Sequence, residues 1–136
     1  MSTYSKVLLE TTVHNYNDGI KNITGPSVPG DGYYNRSDGL HTVQWSIVDF
    51  IGKIKLQASL HKNPGNDDWF DISFGSLIEF TIDTTGKVSQ TTINSVVYTQ
   101  ATTGSFVNNF VGNYVWIRAN ISEWTNGSIT SILLSH

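Results

Sequence analysis

Phe50-Ile51-Gly52-Lys53-Ile54-Lys55-Leu56-Gln57-Ala58-Ser59-Leu60 and Phe110-Val111-Gly112-Asn113-Tyr114-Val115-Trp116-Ile117-Arg118-Ala119-Asn120-Ile121 are two versions of one segment. Each starts with Phe, a β-branched apolar residue and Gly, then alternates and closes on Ala-x-apolar; the second copy carries one extra residue. Alternation with a period of two is the signature of a strand with one face buried. The chain is thus organised around two similar strands, each with a glycine hinge near its start.

The same pattern extends outward. From His41 to Phe50, Val43, Trp45 and Ile47 share one face against Thr42, Gln44 and Ser46. Earlier, Lys6 to Val13 reads as a first strand, followed by a long polar stretch over residues 14–40 punctuated by Asp-Gly, Gly-Pro and Pro-Gly pairs. A loop of this length inside a compact domain is usually functional or makes contacts. Within it, Gly32-Tyr33-Tyr34-Asn35 is expected as a short edge strand.

Downstream, Lys62-Asn63-Pro64-Gly65-Asn66-Asp67-Asp68 is a turn, and a strand from Trp69 through Phe74 follows. Leu77 to Asp83 and Val88 to Thr99 are expected as strands joined at Thr84-Thr85-Gly86-Lys87, with the Ser/Thr-rich stretch 89–105 at a sheet edge or in a partner interface. In the second copy, Tyr114, Trp116 and Arg118 share one face, and Val115, Ile117 and Ala119 the other. Asn126-Gly127 predicts a two-residue hairpin turn before a last strand from Ile129 to Leu134.

No window shows a sustained helical period, and Gly, Ser, Thr and Asn are abundant. About eight short strands separated by turns indicate an all-β fold, an antiparallel β-sandwich of immunoglobulin-like or jelly-roll type. The 136 residues, 38% of them hydrophobic, suit a single domain over 1–136, with an N-terminal arm and the long 14–40 loop as its appendages.

Composition excludes several functions. There is no cysteine, which removes disulfides, thiolate catalysis and Cys-ligated zinc. A net charge of −3 with eight scattered Lys and Arg gives no basic patch for nucleic acid. The apolar runs, such as Ile132-Leu133-Leu134, are too short for a bilayer-spanning helix, and the first six residues lack the core of a signal peptide. No membrane association is expected.

Catalytic chemistry is weakly represented. His14, His41, His61 and His136 have no zinc spacing, and no G-x-S-x-G elbow is present. Asp67, Asp68 and Asp71 cluster without the D-x-D-x-D-G pattern of a calcium loop, so they read as turn residues. The three glutamates and eight aspartates show no glycosidase-like pairing. No catalytic, cofactor or metal residue is therefore assigned, and the chain is expected not to be an enzyme. The aromatics are the better candidates: Tyr33, Tyr34, Trp69, Trp116 and Trp124 are expected as subunit or glycan contacts, because indole and phenol rings serve both.

Asp38-Gly39-Leu40-His41-Thr42-Val43-Gln44, the strand Gly52 to Leu60, Asp67-Asp68-Trp69-Phe70-Asp71-Ile72, Phe110 to Ala119 and Gly127-Ser128-Ile129-Thr130-Ser131-Ile132 together resemble small virion structural proteins of tailed bacteriophages, especially phages of aquatic bacteria such as cyanophages. The resemblance covers most of residues 38–136, and the 14–37 and 84–105 regions have no counterpart in it. It implies a β-sandwich subunit repeated many times in the virion, as a capsid decoration or a neck, tail or fibre component. Its partners would then be copies of itself and other virion proteins, with the arm and long loop touching neighbours. The alternative is a carbohydrate-binding or lectin-like module, compatible with the first if outer loops touch host-surface glycan.

Overall fold

The computed structural model describes residues 6–14, 19–34, 39–72, 78–92 and 95–135, with side chains described for all of these except 78–81 and 89–92. Among them lie ten strands: β1 (Lys6–Leu9), β2 (Thr12–Val13), β3 (Lys21–Thr24), β4 (Val28–Pro29), β5 (Leu40–Ser59), β6 (Phe70–Asp71), β7 (Ile78–Ile82), β8 (Val88–Thr92), β9 (Val96–Val111) and β10 (Trp116–Ser135). Eight form one antiparallel sheet that does not close into a barrel, and β7 and β8 form a separate two-stranded sheet. The all-β, sandwich-like class expected from the alternation is the observed one.

Three long strands build the sheet. β10 pairs with β5 from Trp116↔Ser59 to Ser135↔Thr42, and β5 pairs with β9 from Leu40↔Val111 to Ile54↔Val96. The two sequence repeats are direct partners: Ile54 faces Ile121, Leu56 faces Ala119 and Ala58 faces Ile117. All six side chains are fully buried, so the repeat is one inner face of the core written twice.

The free side of β10 is covered by β1, β2, β3 and β4 in turn, from Lys6↔Leu134 to Pro29↔Trp116. Lys6 and Pro29 therefore sit beside opposite ends of β10, about 60 Å apart along a straight strand of that length. Yet the Lys6 ammonium donates a hydrogen bond to the Pro29 carbonyl at 3.1 Å. The strands are bent double, and the sheet folds over so that its two halves face each other. Strands that pass from one layer of a sandwich to the other turn the corner at bulges. The corner is visible as register shifts between Ile47 and Gly52 in β5 and between Ser122 and Ser128 in β10, and as positive φ at Asp49, Glu123 and Gly127.

Gly127 shows why the corner needs glycine. Its φ is +84°, and a Cβ there would lie 2.2 Å from the Asp49 carbonyl oxygen. Asn126 completes the junction by donating from Nδ2 to the same carbonyl at 2.9 Å. Asn126-Gly127 is thus a bulge inside β10, and the expected hairpin between two short strands does not form. The positive φ that an Asn-Gly turn exploits is used to bend one long strand. The expected strands on either side of Gly52 are likewise one strand, β5, whose positive φ lies at Asp49.

The interior between the two halves holds Leu8, Val43, Trp45, Ile47, Phe50, Ile54, Leu56, Ile117, Ile121, Trp124, Ile129, Ile132 and Leu134, each at most 1% exposed. Burying such side chains contributes roughly 1.5–3 kcal/mol apiece relative to exposure. The two tryptophan N–H groups buried here are satisfied: Trp45 donates to the Tyr98 hydroxyl at 2.8 Å and Trp124 to the Asn126 carbonyl at 2.8 Å.

The 14–40 stretch is not a free loop throughout, since β3 and β4 lie on the edge of β10. Residues 31–34 form a turn, closed by Tyr33 N–H to Gly30 and Tyr34 N–H to Asp31, where an edge strand was expected. Parts of several expectations lie outside the described residues: Asn35 of that strand, residues 73–74 of the strand expected from Trp69 to Phe74, Leu77, residues 93–94 and residues 1–5 of the arm. The strand expected from Val88 to Thr99 is described as β8 and the start of β9, which lie in different sheets. The predicted turn at 84–87 is present, with Ile82 paired to Val88 across it.

Candidate functional site

At the end of the sandwich where β10 begins, alternation sends Ile117, Ala119 and Ile121 inward and leaves Trp116 and Arg118 on the outer face. The connection from β5 to β6 folds over that face. The Trp116 indole N–H donates to the Lys62 carbonyl at 3.0 Å, which ties the 62–66 turn to β10. The turn is itself fixed by the Gly65 N–H to the Asp68 carboxylate at 2.7 Å and the Asp68 N–H to Gly65 at 3.2 Å. Asn and Asp stabilise turns in this way.

An open groove of about 390 Å³ results, lined by Ser27, Lys62, Asn63, Asn66, Trp69, Trp116 and Arg118, with Pro64 at its wall. Trp69 lies against Arg118, whose guanidinium carbon is 4.1 Å from the indole centroid. Arg118 Nε donates to Gln57 Oε1 at 2.9 Å, and Gln57 Nε2 donates to Asp71 Oδ1 at 3.2 Å. Asp71 also meets Lys55 at 3.7 Å. Partial burial lowers the Arg118 pKa from its ordinary value, and the group stays cationic at any working pH.

Four of the five expected contact aromatics gather around this groove. Trp69 and Trp116 line it. Tyr33 packs edge-on against Trp116, with centroids 5.1 Å apart, and Tyr34 against Tyr33 at 5.2 Å. The Lys6 ammonium sits over Tyr34 at 4.5 Å and donates to its hydroxyl at 2.8 Å. Trp124 is the exception and a correction to the expected contact set. It is fully buried at the corner, tilted against Phe50 with centroids 5.8 Å apart, and has no surface to offer a subunit or a glycan. Glu123 has positive φ and Trp124 follows it, so the bulge resets the alternation and turns the indole inward.

Sequence reasoning placed Arg118 on the Trp116 face but did not bring it to Trp69, because that meeting depends on how the β5–β6 connection folds back. Lys62, Asn63 and Asn66 read as turn residues and carried no sign that the turn would form a groove wall. Tyr114, expected to share a face with Trp116 and Arg118, precedes β10 and packs instead near His41, Phe110 and Phe70, and burial raises its phenol pKa.

A second concentration of polar chemistry lies under the 31–41 connection. His41 is fully buried and stacked parallel on Phe110 at 4.9 Å. Its Nδ1 donates to the Gly39 carbonyl at 2.7 Å, and its Nε2 accepts the Asp31 N–H at 3.3 Å. The Asp31 carboxylate accepts the Gly39 N–H at 3.1 Å. Both ring nitrogens are committed to backbone, so this cluster fastens the connection to the core. Asp68 pairs with His61 at 3.5 Å, and no group of three or more metal-ligating side chains occurs among the described residues.

The remaining feature is β9. Among the described residues it pairs with β5 on one side only, and its 16 residues contain no charged side chain and no proline. Val97, Val107 and Val111 stand on its outer face at 51%, 61% and 70% exposure. No protein-family model, no curated protein and no solved structure matches this chain.

Proposed function

We propose that the chain is a non-enzymatic structural subunit of a bacteriophage virion, used in many copies as a capsid decoration or another repeated surface component. The observation that carries this reading is the β9 edge. Natural sheet edges are blunted by charges, prolines, bulges or shortness, because an open row of N–H and C=O groups templates pairing with another chain. β9 is long and uncharged, it displays three valines, and its bulge is confined to the corner between Tyr98 and Gly104, which leaves residues 105–111 as regular edge. Contact between copies by a two-fold axis sets each residue near the axis against its own kind. An uncharged strand suits that arrangement, since no side chain opposes its own charge.

The exposed Ile82 and Val88 of the β7–β8 hairpin add a further apolar surface suited to neighbours. The resemblance of the segments between residues 38 and 136 to small tailed-phage virion proteins is what points this reading to a phage particle. Mass spectrometry of purified virions of the phage that carries this sequence tests the reading. The expected outcome is the chain in high copy number relative to single-copy portal components; its absence from the particles would sink it. The carbohydrate-binding alternative is favoured by the Trp69–Trp116 groove, and the two readings are compatible because groove and β9 occupy different surfaces.

A further inference from the structure

We propose that the groove between the 62–66 turn and the start of β10 binds an anionic saccharide, one carrying carboxylate or sulfate groups. The groove has the size of a small-ligand site and the mixture such sites use, flat apolar surface with a few convergent polar groups. Trp69 and Trp116 supply indole faces for the apolar side of a sugar ring. Asn63, Asn66 and Ser27 supply amide and hydroxyl groups for sugar hydroxyls, each amide being able to donate and accept.

Charge chooses the class of sugar. The lining holds two cations, Lys62 and Arg118, and no carboxylate. Of the nearby acids, Asp71 is engaged with Lys55 and Gln57 and Asp68 with His61 and the Gly65 N–H, while exposed Asp67 lies outside the lining. Neither Lys62 nor Arg118 forms an ion pair among the described residues. Arg118 spends Nε on Gln57 and its face on Trp69, which fixes the guanidinium plane and leaves its remaining N–H groups for an oxyanion. In a chain of net charge −3, this is a local positive site beside two indoles. A neutral sugar would leave those cations unused.

The inference does not depend on the virion reading. It is tested by titrating the whole chain with a defined oligogalacturonate, a heparin-derived oligosaccharide and a neutral cello-oligosaccharide of equal length. Indole N–H shifts and tryptophan fluorescence are the readouts. The expected result is binding of at least one acidic ligand at least tenfold tighter than the neutral one, weakened by salt, with the Trp69 and Trp116 indole signals moving and those of buried Trp45 and Trp124 still. Arg118→Gln is expected to lower that affinity at least tenfold, and Lys62→Gln, at an exposed turn position, serves if the first variant does not fold. Binding of the uronate alone assigns a carboxylate ligand, of the heparin fragment alone a sulfate ligand, and of both a site that reads charge. Equal affinity for the neutral sugar, no binding of any, or acidic binding unaltered by the variants would overturn the proposal.

Discussion

The two edges of the folded sheet are built in opposite ways. Along one, the chain lays down β1, β2, β3 and β4 as short pieces of two to four residues, interrupted by a bulge, turns and Pro26 and Pro29. There the two layers meet: Lys6 bonds to Pro29, and a Cβ on Gly25 would lie 2.4 Å from the Leu8 carbonyl oxygen. Along the other, β9 runs as one strand of 16 residues that bulges between Tyr98 and Gly104 at the corner, with nothing paired to its outer side among the described residues. A fragmented edge that closes on itself offers no template to another chain, whereas a continuous uncharged edge does. Among the described residues one side of the sheet is closed and the other open, which is the arrangement the proposed subunit role calls for.

The comparison breaks most severely at the closed edge. Gly25→Val forces β-branched bulk between two backbones and is expected to cost about 3 kcal/mol of stability by urea denaturation, the upper range for overpacking. Ala101→Val on the outer face of β9 adds similar bulk and is expected to stay within about 0.5 kcal/mol of the parent. Equal costs would mean that the two edges are packed alike.

Charge sharpens the contrast next. Val107→Lys places a lysine on the open edge, and sedimentation velocity is expected to show self-association weakened at least tenfold. Val13→Lys, at a residue equally exposed on the closed edge (55% against 61%), is expected to leave association unchanged. If both lysines act alike, association does not run through β9.

The Lys6 tie is a smaller test. Lys6→Met removes hydrogen bonds to Pro29 and the Tyr34 hydroxyl but keeps the aliphatic stem, and a loss of about 1 kcal/mol or less is expected because the contact is partly solvated. The smallest expected effect is at alkaline pH. Burial raises the Tyr98 and Tyr114 pKa values, offset in Tyr98 by the Trp45 hydrogen bond. A raised folded-state pKa favours the protonated native form, so stability holds below the ordinary tyrosine value and falls as pH climbs through it toward the raised one. Urea midpoints measured from neutral pH upward should be flat and then decline; Tyr98→Phe should reduce the decline.

How much of this was legible in the sequence follows from what local patterns encode. The burial of Val43, Trp45 and Ile47, and of Ile54, Leu56 and Ala58, follows from alternation, because a pleat assigns faces residue by residue. Strand continuity does not. Gly52 and Asn126-Gly127 carry the same local signal whether they end a strand or bend it, and only the partner strand decides. The approach of Asp49 to Gly127 joins positions far apart in the chain, and it made the bulge the outcome. Likewise, Trp69 and Trp116 could be named as contacts from residue type alone, but their union with Arg118 rests on the turn docking through Lys62. Trp124 turns inward because the positive φ at Glu123 shifts the alternation by a step that no sequence pattern announces.

The solution mass of the purified chain by light scattering, over a range of concentrations, tests the claim about β9 most directly. The account predicts a mass at an integer multiple of the 15.1 kDa chain that collapses to a single chain on Val107→Lys. A mass of 15.1 kDa at every concentration, for parent and variant alike, would contradict it.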